Sequence, residues 1–177
     1  MILIFIEFSK YLVTNIRNLD LSDNKIGKND ISKIVKYIED EKYHFENFNI
    51  FGNLLRDDNI KQLSEAIGNF ASYRMQLINL GKNNISDFCC EVLIYMIGSC
   101  TGLRIFNLSH NKFSNKGGTQ VIKKLRSHTE LRVLDLSWNN IRDVFLKPSK
   151  FEKIVNQFYK ASEQNKKVFN NFILIKH

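Results

Sequence analysis

The sequence predicts an α/β solenoid, in which short parallel strands alternate with helices and stack along one axis. Two observations carry that expectation. An asparagine held in a fixed frame of apolar residues occurs five times, and the interval after each frame has apolar residues at helical spacing. Self-similarity at a fixed period marks a stacked-repeat architecture rather than a closed globule.

The first frame is Ile16, Leu19, Leu21, Asn24 and Ile26. It returns as Phe45, Phe48, Ile50, Asn53 and Leu55, then as Met75, Ile78, Leu80, Asn83 and Ile85. It returns again as Leu103, Phe106, Leu108, Asn111 and Phe113, and last as Leu131, Leu134, Leu136, Asn139 and Ile141. The asparagines lie 29, 30, 28 and 28 residues apart. Apolar residues two apart, such as Leu19 and Leu21, predict a short strand with one buried face. The asparagine forms the turn after the strand, where its amide can serve backbone groups of neighbouring turns. Asn24, Asn53, Asn83, Asn111 and Asn139 are therefore a candidate structural ladder.

Each strand leads into a helical segment. Residues 30–42 carry Ile31, Ile34, Val35 and Ile38 at helical spacing, and residues 57–70 carry Ile60, Leu63 and Ile67. Residues 87–99 carry Phe88, Val92, Tyr95 and Met96, and residues 115–127 carry Val121, Ile122 and Leu125. Asp57, Asp58, Ser86 and Ser114 are the candidate N-caps. Helices are wider than strands, so the stack is expected to curve into a short horseshoe. Strands would line its concave face and helices its convex face.

This pattern resembles the leucine-rich repeat family, ribonuclease-inhibitor-like subclass, over about residues 16–146. The resemblance implies a non-enzymatic protein-protein interaction scaffold or regulatory binding module. Family members include ribonuclease inhibitors, Ran GTPase-activating proteins, innate immune receptor domains and axonemal components such as the dynein regulatory complex. A GTPase-activating regulator of the Ran type is the alternative from an enzyme-linked class. Arg104 and Arg132 begin strands, but no catalytic motif of that family carries over to them. Frequent Asn, Ile and Lys fit an AT-rich protist genome, which makes a cytoskeletal or ciliary axoneme role the expectation within a cytoplasmic location.

Three segments are expected. Residues 1–15 form the helix of an incomplete N-terminal repeat, residues 16–146 hold five repeats, and residues 147–177 form a Lys-rich C-terminal helix and partial repeat. In the last segment Ser149-Lys150-Phe151-Glu152 is a capping box for a helix at about 149–163. Phe169, Phe172 and Leu174 then repeat the strand spacing, with His177 in the asparagine position. Both ends fall inside a period, so a fragment of a larger repeat protein, or an assembly partner over the ends, is the corresponding expectation. The apolar start, Met1 to Phe8, is interrupted by Glu7 and Lys10, short of the roughly 20 residues that span a bilayer.

The chain of 177 residues carries 26 Lys and Arg against 18 Asp and Glu, a formal charge of +8. Seven Lys and two Glu fall in residues 147–177, so the charge is concentrated there. The strand positions are neither basic nor rich in aromatics for base stacking, which disfavours nucleic acid as a partner. Three cysteines make a disulfide framework improbable. Cys89, Cys90 and Cys100 read as small apolar residues of a helix and its turn. His44, His110, His128 and His177 lack metal-ligand spacing, so no metal and no cofactor is expected. Gly117-Gly118 has the wrong spacing for a phosphate loop and reads as a repeat turn.

The candidate partner-binding residues lie on the exposed side of the strands. One row is Asp20, Asn49, Asn79, Asn107 and Asp135. Two positions on, Ser22, Phe51, Gly81, Ser109 and Ser137 follow, and two positions before stand Asn18, Asn47, Leu77, Ile105 and Val133. Just beyond the strands lie Asp23, Gly52, Lys82, His110 and Trp138, the last being the single Trp. Aromatic residues are enriched at binding hot spots, which makes Phe51, His110 and Trp138 the expected contact cluster. Solvation of the polar row, and burial of Trp138 against the C-terminal helix, are the structural alternatives.

Overall fold

Apolar pairs two residues apart make strands of three residues: β1 (Asn18–Asp20), β2 (Asn47–Asn49), β3 (Leu77–Asn79), β4 (Ile105–Asn107), β5 (Val133–Asp135) and β6 (Phe172–Leu174). They lie in chain order in one parallel sheet. The computed structural model describes residues 16–40, 45–125 and 128–141, together with the backbone of 172–174. Between the strands run α1 (Lys28–Glu39), α2 (Asp57–Ala66), α3 (Cys90–Ser99) and α4 (Asn115–Leu125). A π turn over Ile67–Ala71 extends α2, and a 3-10 turn over Asp87–Cys89 leads into α3. Parallel neighbours require a crossover, and each helix supplies one. The α/β solenoid read from the repeats is the fold.

The register sets one residue of each repeat level with the next: Leu19, Phe48, Ile78, Phe106 and Leu134. All five are buried between the sheet and the helices. They meet Ile31, Ile34 and Ile38 from α1, Ile60 and Leu63 from α2, and Leu93, Met96 and Ile97 from α3 in one continuous core. Burying each such side chain contributes about 1.5–3 kcal/mol. The core runs the length of the stack, so each repeat depends on its neighbours for part of its burial.

Several local expectations are corrected. Asp57 and Asp58 do not cap α2. Its cap residue is Arg56, whose N–H donates to Asn59 Oδ1 at 3.0 Å, and Asn59 is buried to do this. Asp57 instead accepts from both the N–H and the hydroxyl of Ser86 at 2.7 Å, tying one helix start to the next. Asp87 does the same for Ser114, accepting its N–H at 2.9 Å and also its hydroxyl. Gly117 and Gly118 lie inside α4 rather than in a turn. A Cβ on Gly117 would stand 2.0 Å from Asp87 Oδ1, so the missing side chain is the space the carboxylate occupies.

Of the expected α3 face, Met96 is buried and Val92 packs against the core, but Phe88 and Tyr95 turn outward. Phe88 is 94% exposed and Tyr95 is 49% exposed, whereas Cys89, Cys90, Leu93, Met96 and Ile97 are buried. The segment is apolar nearly all round, so spacing alone left two faces to choose from. At β6 the pairing sets Ile173, not Phe172, level with Leu134. That shifts the expected spacing of Phe172 and Leu174 by one residue. The expected helices of residues 1–15 and 149–163, with His44, Phe169 and His177, lie outside the described residues.

Candidate functional site

The site is built on the turns that end the strands. Asn53 Nδ2 donates to Leu21 O at 3.0 Å, Ile50 O at 2.9 Å and Phe51 O at 3.1 Å. Its Oδ1 accepts from Asn24 N–H at 3.1 Å and Ile26 N–H at 2.8 Å. Asn83 and Asn111 repeat the arrangement, each donating to three carbonyls and accepting one N–H of the preceding repeat. Asn139 bonds Leu108 O, Leu136 O and Ser137 O and receives Phe113 N–H. Asn24 donates to Ser22 O. Asn53, Asn83, Asn111 and Asn139 thus each clamp two consecutive turns, which a shorter or charged side chain would not do.

The next row is bonded locally. Each residue of the Asp20 row accepts the N–H two residues later: Asn49 from Phe51 at 3.2 Å, Asn79 from Gly81 at 3.1 Å and Asn107 from Ser109 at 2.8 Å. Asp20 and Asp135 take the N–H and also the hydroxyl of Ser22 and Ser137. These are Asx turns. The Ser22 hydroxyl, then its N–H, hold the Asp20 carboxyl below its ordinary value of 3.8, against a small opposing effect of burial. One oxygen of every side chain in the row is therefore committed to the turn.

Beyond the turn comes a rim. Asp23, Gly52, Lys82, His110 and Trp138 all have left-handed backbone, with φ between 50° and 68°. The N–H groups of Asp23, Gly52, Lys82 and His110 each bond a carbonyl of the following repeat at 2.8–3.0 Å. Side chains on this row are presented from fixed positions. A Cβ on Gly52 would lie 2.0 Å from Asp23 Oδ1, so Asp23 reaches across Gly52 toward Lys82, 3.8 Å away. Lys82 Nζ stands 5.8 Å from the centre of the Phe51 ring. That ring covers Gly81, where a Cβ would be 2.8 Å from it. His110 and Trp138 stack with centroids 5.3 Å apart and planes 10° from parallel.

The expected cluster of Phe51, His110 and Trp138 is thus two groups along one rim. The stacked pair is one, Phe51 with Lys82 is the other, and Lys82 occupies the repeat between Phe51 and His110. Lys82 and Asp23 carry more of the site than their sequence positions indicated. The signal for them was their common place one residue before each asparagine. Trp138 is 53% exposed. At the strand starts a second polar line runs across the repeats. Arg17 pairs with Glu46 at 3.3 Å, and Gln76 and then Arg104 continue by hydrogen bonds of 3.5 and 3.2 Å. Asn47 donates to Asn18 beside it. Leu77, Ile105 and Val133 make the apolar patch between the two lines.

Chemistry at the thiols is suppressed. Burial, then the negative charges of Asp57 and Cys90, push Cys89 up. Burial, with Asp87 and Asp57 adding, lifts Cys90 to about 11, and burial alone lifts Cys100 to about 12. Thiolate, the reactive form, is scarce at neutral pH. Among the described residues no group of three His, Cys, Asp or Glu is placed to hold a metal, and no helix is long and apolar enough to cross a membrane.

A search among curated proteins gives no match. The family model described as Leucine Rich repeat matches residues 14–35, 99–120 and 127–144. The first spans β1 and the start of α1, the second runs from the end of α3 through β4 into α4, and the third covers β5 and its turn. Three matched units in register with this ladder of strands and turns show that the chain carries leucine-rich repeats.

Proposed function

We propose that the chain is a non-enzymatic protein-binding module that uses the open face of its sheet and the rim beyond it. The observation that carries this reading is the rim itself. An exposed His110–Trp138 stack and the Phe51–Lys82 pair project from the turns, where the backbone of Phe51, Lys82 and His110 is bonded to neighbouring repeats. Preordered aromatic groups bind at low entropic cost. The Asp20, Asn49, Asn79, Asn107 and Asp135 row would add polar contacts and set register. The fitting partner is a protein segment with an apolar or aromatic anchor for Trp138 and acceptor groups for Lys82 and the carboxamides. A cytoplasmic, cytoskeletal or axonemal setting is part of the proposal, supported by the seven Lys in residues 147–177, which suit an acidic filament surface.

The test is affinity purification with quantitative mass spectrometry, comparing the chain with Trp138→Ala and Phe51→Ala. Loss of a hot-spot Trp costs about 2 kcal/mol or more, so partner recovery should fall at least tenfold with Trp138→Ala. Recovery unchanged by both variants would remove the rim from the binding surface.

A further inference from the structure

Counted from the helix caps, the outer faces of the four helices form rows. Two, six and nine residues after the caps Gly27, Arg56 and Ser86 and the capping Ser114 come Asn29, Lys33 and Lys36 in α1 and Asp58, Gln62 and Glu65 in α2. The same positions hold Phe88, Val92 and Tyr95 at α3 and Lys116, Gln120 and Lys123 in α4. An apolar row is therefore bordered by an acidic row on one side and a basic row on the other. All of these side chains are exposed except Val92, which is half-buried.

Single exposed apolar residues are ordinary, but a contiguous group is not. Phe88, Val92 and Tyr95 follow i, i+4, i+7 spacing, and Glu91 is the single charged residue of α3. Tyr95 is held in place: its ring covers Gly68, where a Cβ would come within 2.7 Å, and its hydroxyl meets Asn69 Oδ1 at 2.5 Å. Phe70, 48% exposed, and Tyr73, 64% exposed, extend the patch over the turn after α2.

We infer that this face docks a second copy of the chain about a two-fold axis parallel to α3. Rotation about that axis keeps position along the helix and exchanges left for right. Phe88 and Tyr95 then meet their own counterparts. Asp58 and Glu65 of each copy face Lys116 and Lys123 of the other. An isologous contact needs this kind of self-complementary surface. The alternative two-fold, perpendicular to α3, sets acid on acid and base on base. The four flanking charges sum to zero, so this face escapes the repulsion of a chain that carries +8 overall. Beyond the binding proposed above, the dimer would hold two sheet faces outward, back to back, giving a bivalent scaffold.

Sedimentation equilibrium of the full chain over a concentration series tests this. A reversible dimer is expected, with the dissociation constant raised at least tenfold by Phe88→Ser. Lys116→Glu with Lys123→Glu makes every flank acidic, and Asp58→Lys with Glu65→Lys makes every flank basic. Each double variant alone should be monomeric, and an equimolar mixture should form a heterodimer. All five substituted positions lie outside the core, so melting by circular dichroism should be unchanged at concentrations where the unsubstituted chain is itself monomeric. A chain monomeric throughout, a dimer indifferent to Phe88→Ser, or a mixture that fails to associate would overturn the inference. So would association with anionic phosphatidylserine vesicles that depends on Phe88 while the chain stays monomeric.

Discussion

The indole of Trp138 lies on the imidazole of His110, 5.3 Å between ring centres and 10° from parallel. Both residues have left-handed backbone, at φ 57° and 53°, which places their side chains side by side on consecutive turns. The stack shields one face of the single Trp. His110→Ala should therefore raise the acrylamide quenching constant of tryptophan fluorescence without lowering the thermal midpoint. Unchanged quenching would mean that the two rings do not stack in solution.

The asparagine clamp predicts graded stability losses. Asn83 donates to Ile50 O, Leu80 O and Gly81 O and receives Leu55 N–H. Ile50 O, Leu80 O and Gly81 O are also bonded by Asn53, Asn111 and the Gly52 N–H, so Leu55 N–H loses most when Asn83 is removed. Asn83→Ala should cost about 1–3 kcal/mol in urea unfolding, the range for buried polar groups left unmatched. Asn24→Ala should cost less, because Asn24 is half-buried and donates to Ser22 O within its own turn. Equal losses at the two positions would sink the graded clamp.

Strand position and order were legible because one residue type recurs with a fixed apolar frame, and β6, which has no asparagine after it, pairs one residue away from the expected register. The helix faces were less legible. In α1 polar residues separate the apolar positions, and one stripe was evident. In α3, Cys-Glu-Val-Leu-Ile-Tyr-Met-Ile-Gly-Ser offers apolar residues on every side, so the sequence did not say that Phe88 and Tyr95 look outward. The Asp20 row read as open polar surface because an Asx turn is a local bond that leaves no period of its own. Asp57 read as a helix cap and Asp87 drew no reading, since their serine partners sit a full repeat away.

That long-range pairing gives a second stability prediction. Asp87 holds both the N–H and the hydroxyl of Ser114, in the space that Gly117 leaves open. Asp87→Ala should destabilise the chain by about 1–3 kcal/mol through the lost charge-assisted bonds. Gly117→Ala should also destabilise it, by driving Asp87 out. Because both act on one contact, the double variant should cost less than the sum, as measured by a double-mutant cycle. Strict additivity would show that Gly117 matters for another reason.

Gly52 and Asp23 make a parallel case at the rim. Gly52 has φ 68°, and a Cβ there would lie 2.0 Å from Asp23 Oδ1. Gly52→Ala thus combines a left-handed backbone cost of about 1–2 kcal/mol with a clash. In an Asp23→Ala background the clash is gone and the backbone cost remains. The measured penalty of Gly52→Ala should fall between the two backgrounds without vanishing. A penalty that is identical in both would show that Asp23 does not occupy the space over Gly52.

The buried thiols set an alkaline limit. Their folded values lie above the ordinary 9.0, at about 11 for Cys90 and about 12 for Cys100, with Cys89 also raised. Below pH 9.0 both folded and unfolded chains keep their thiol protons, and the stabilisation from burial is whole. Above it the unfolded chain releases protons that the folded chain retains, so stability falls as pH rises toward the folded values. The urea midpoint should drop between about pH 8 and pH 10.5, and the drop should shrink in Cys100→Ala, measured relative to its own value at pH 8. In the native chain at pH 8, iodoacetamide should label the three cysteines far more slowly than in guanidinium, because thiolate is scarce and access is closed. Rapid native labelling would mean that the α3 core opens on the labelling timescale, and a pH slope unaltered by Cys100→Ala would assign the alkaline loss to other groups.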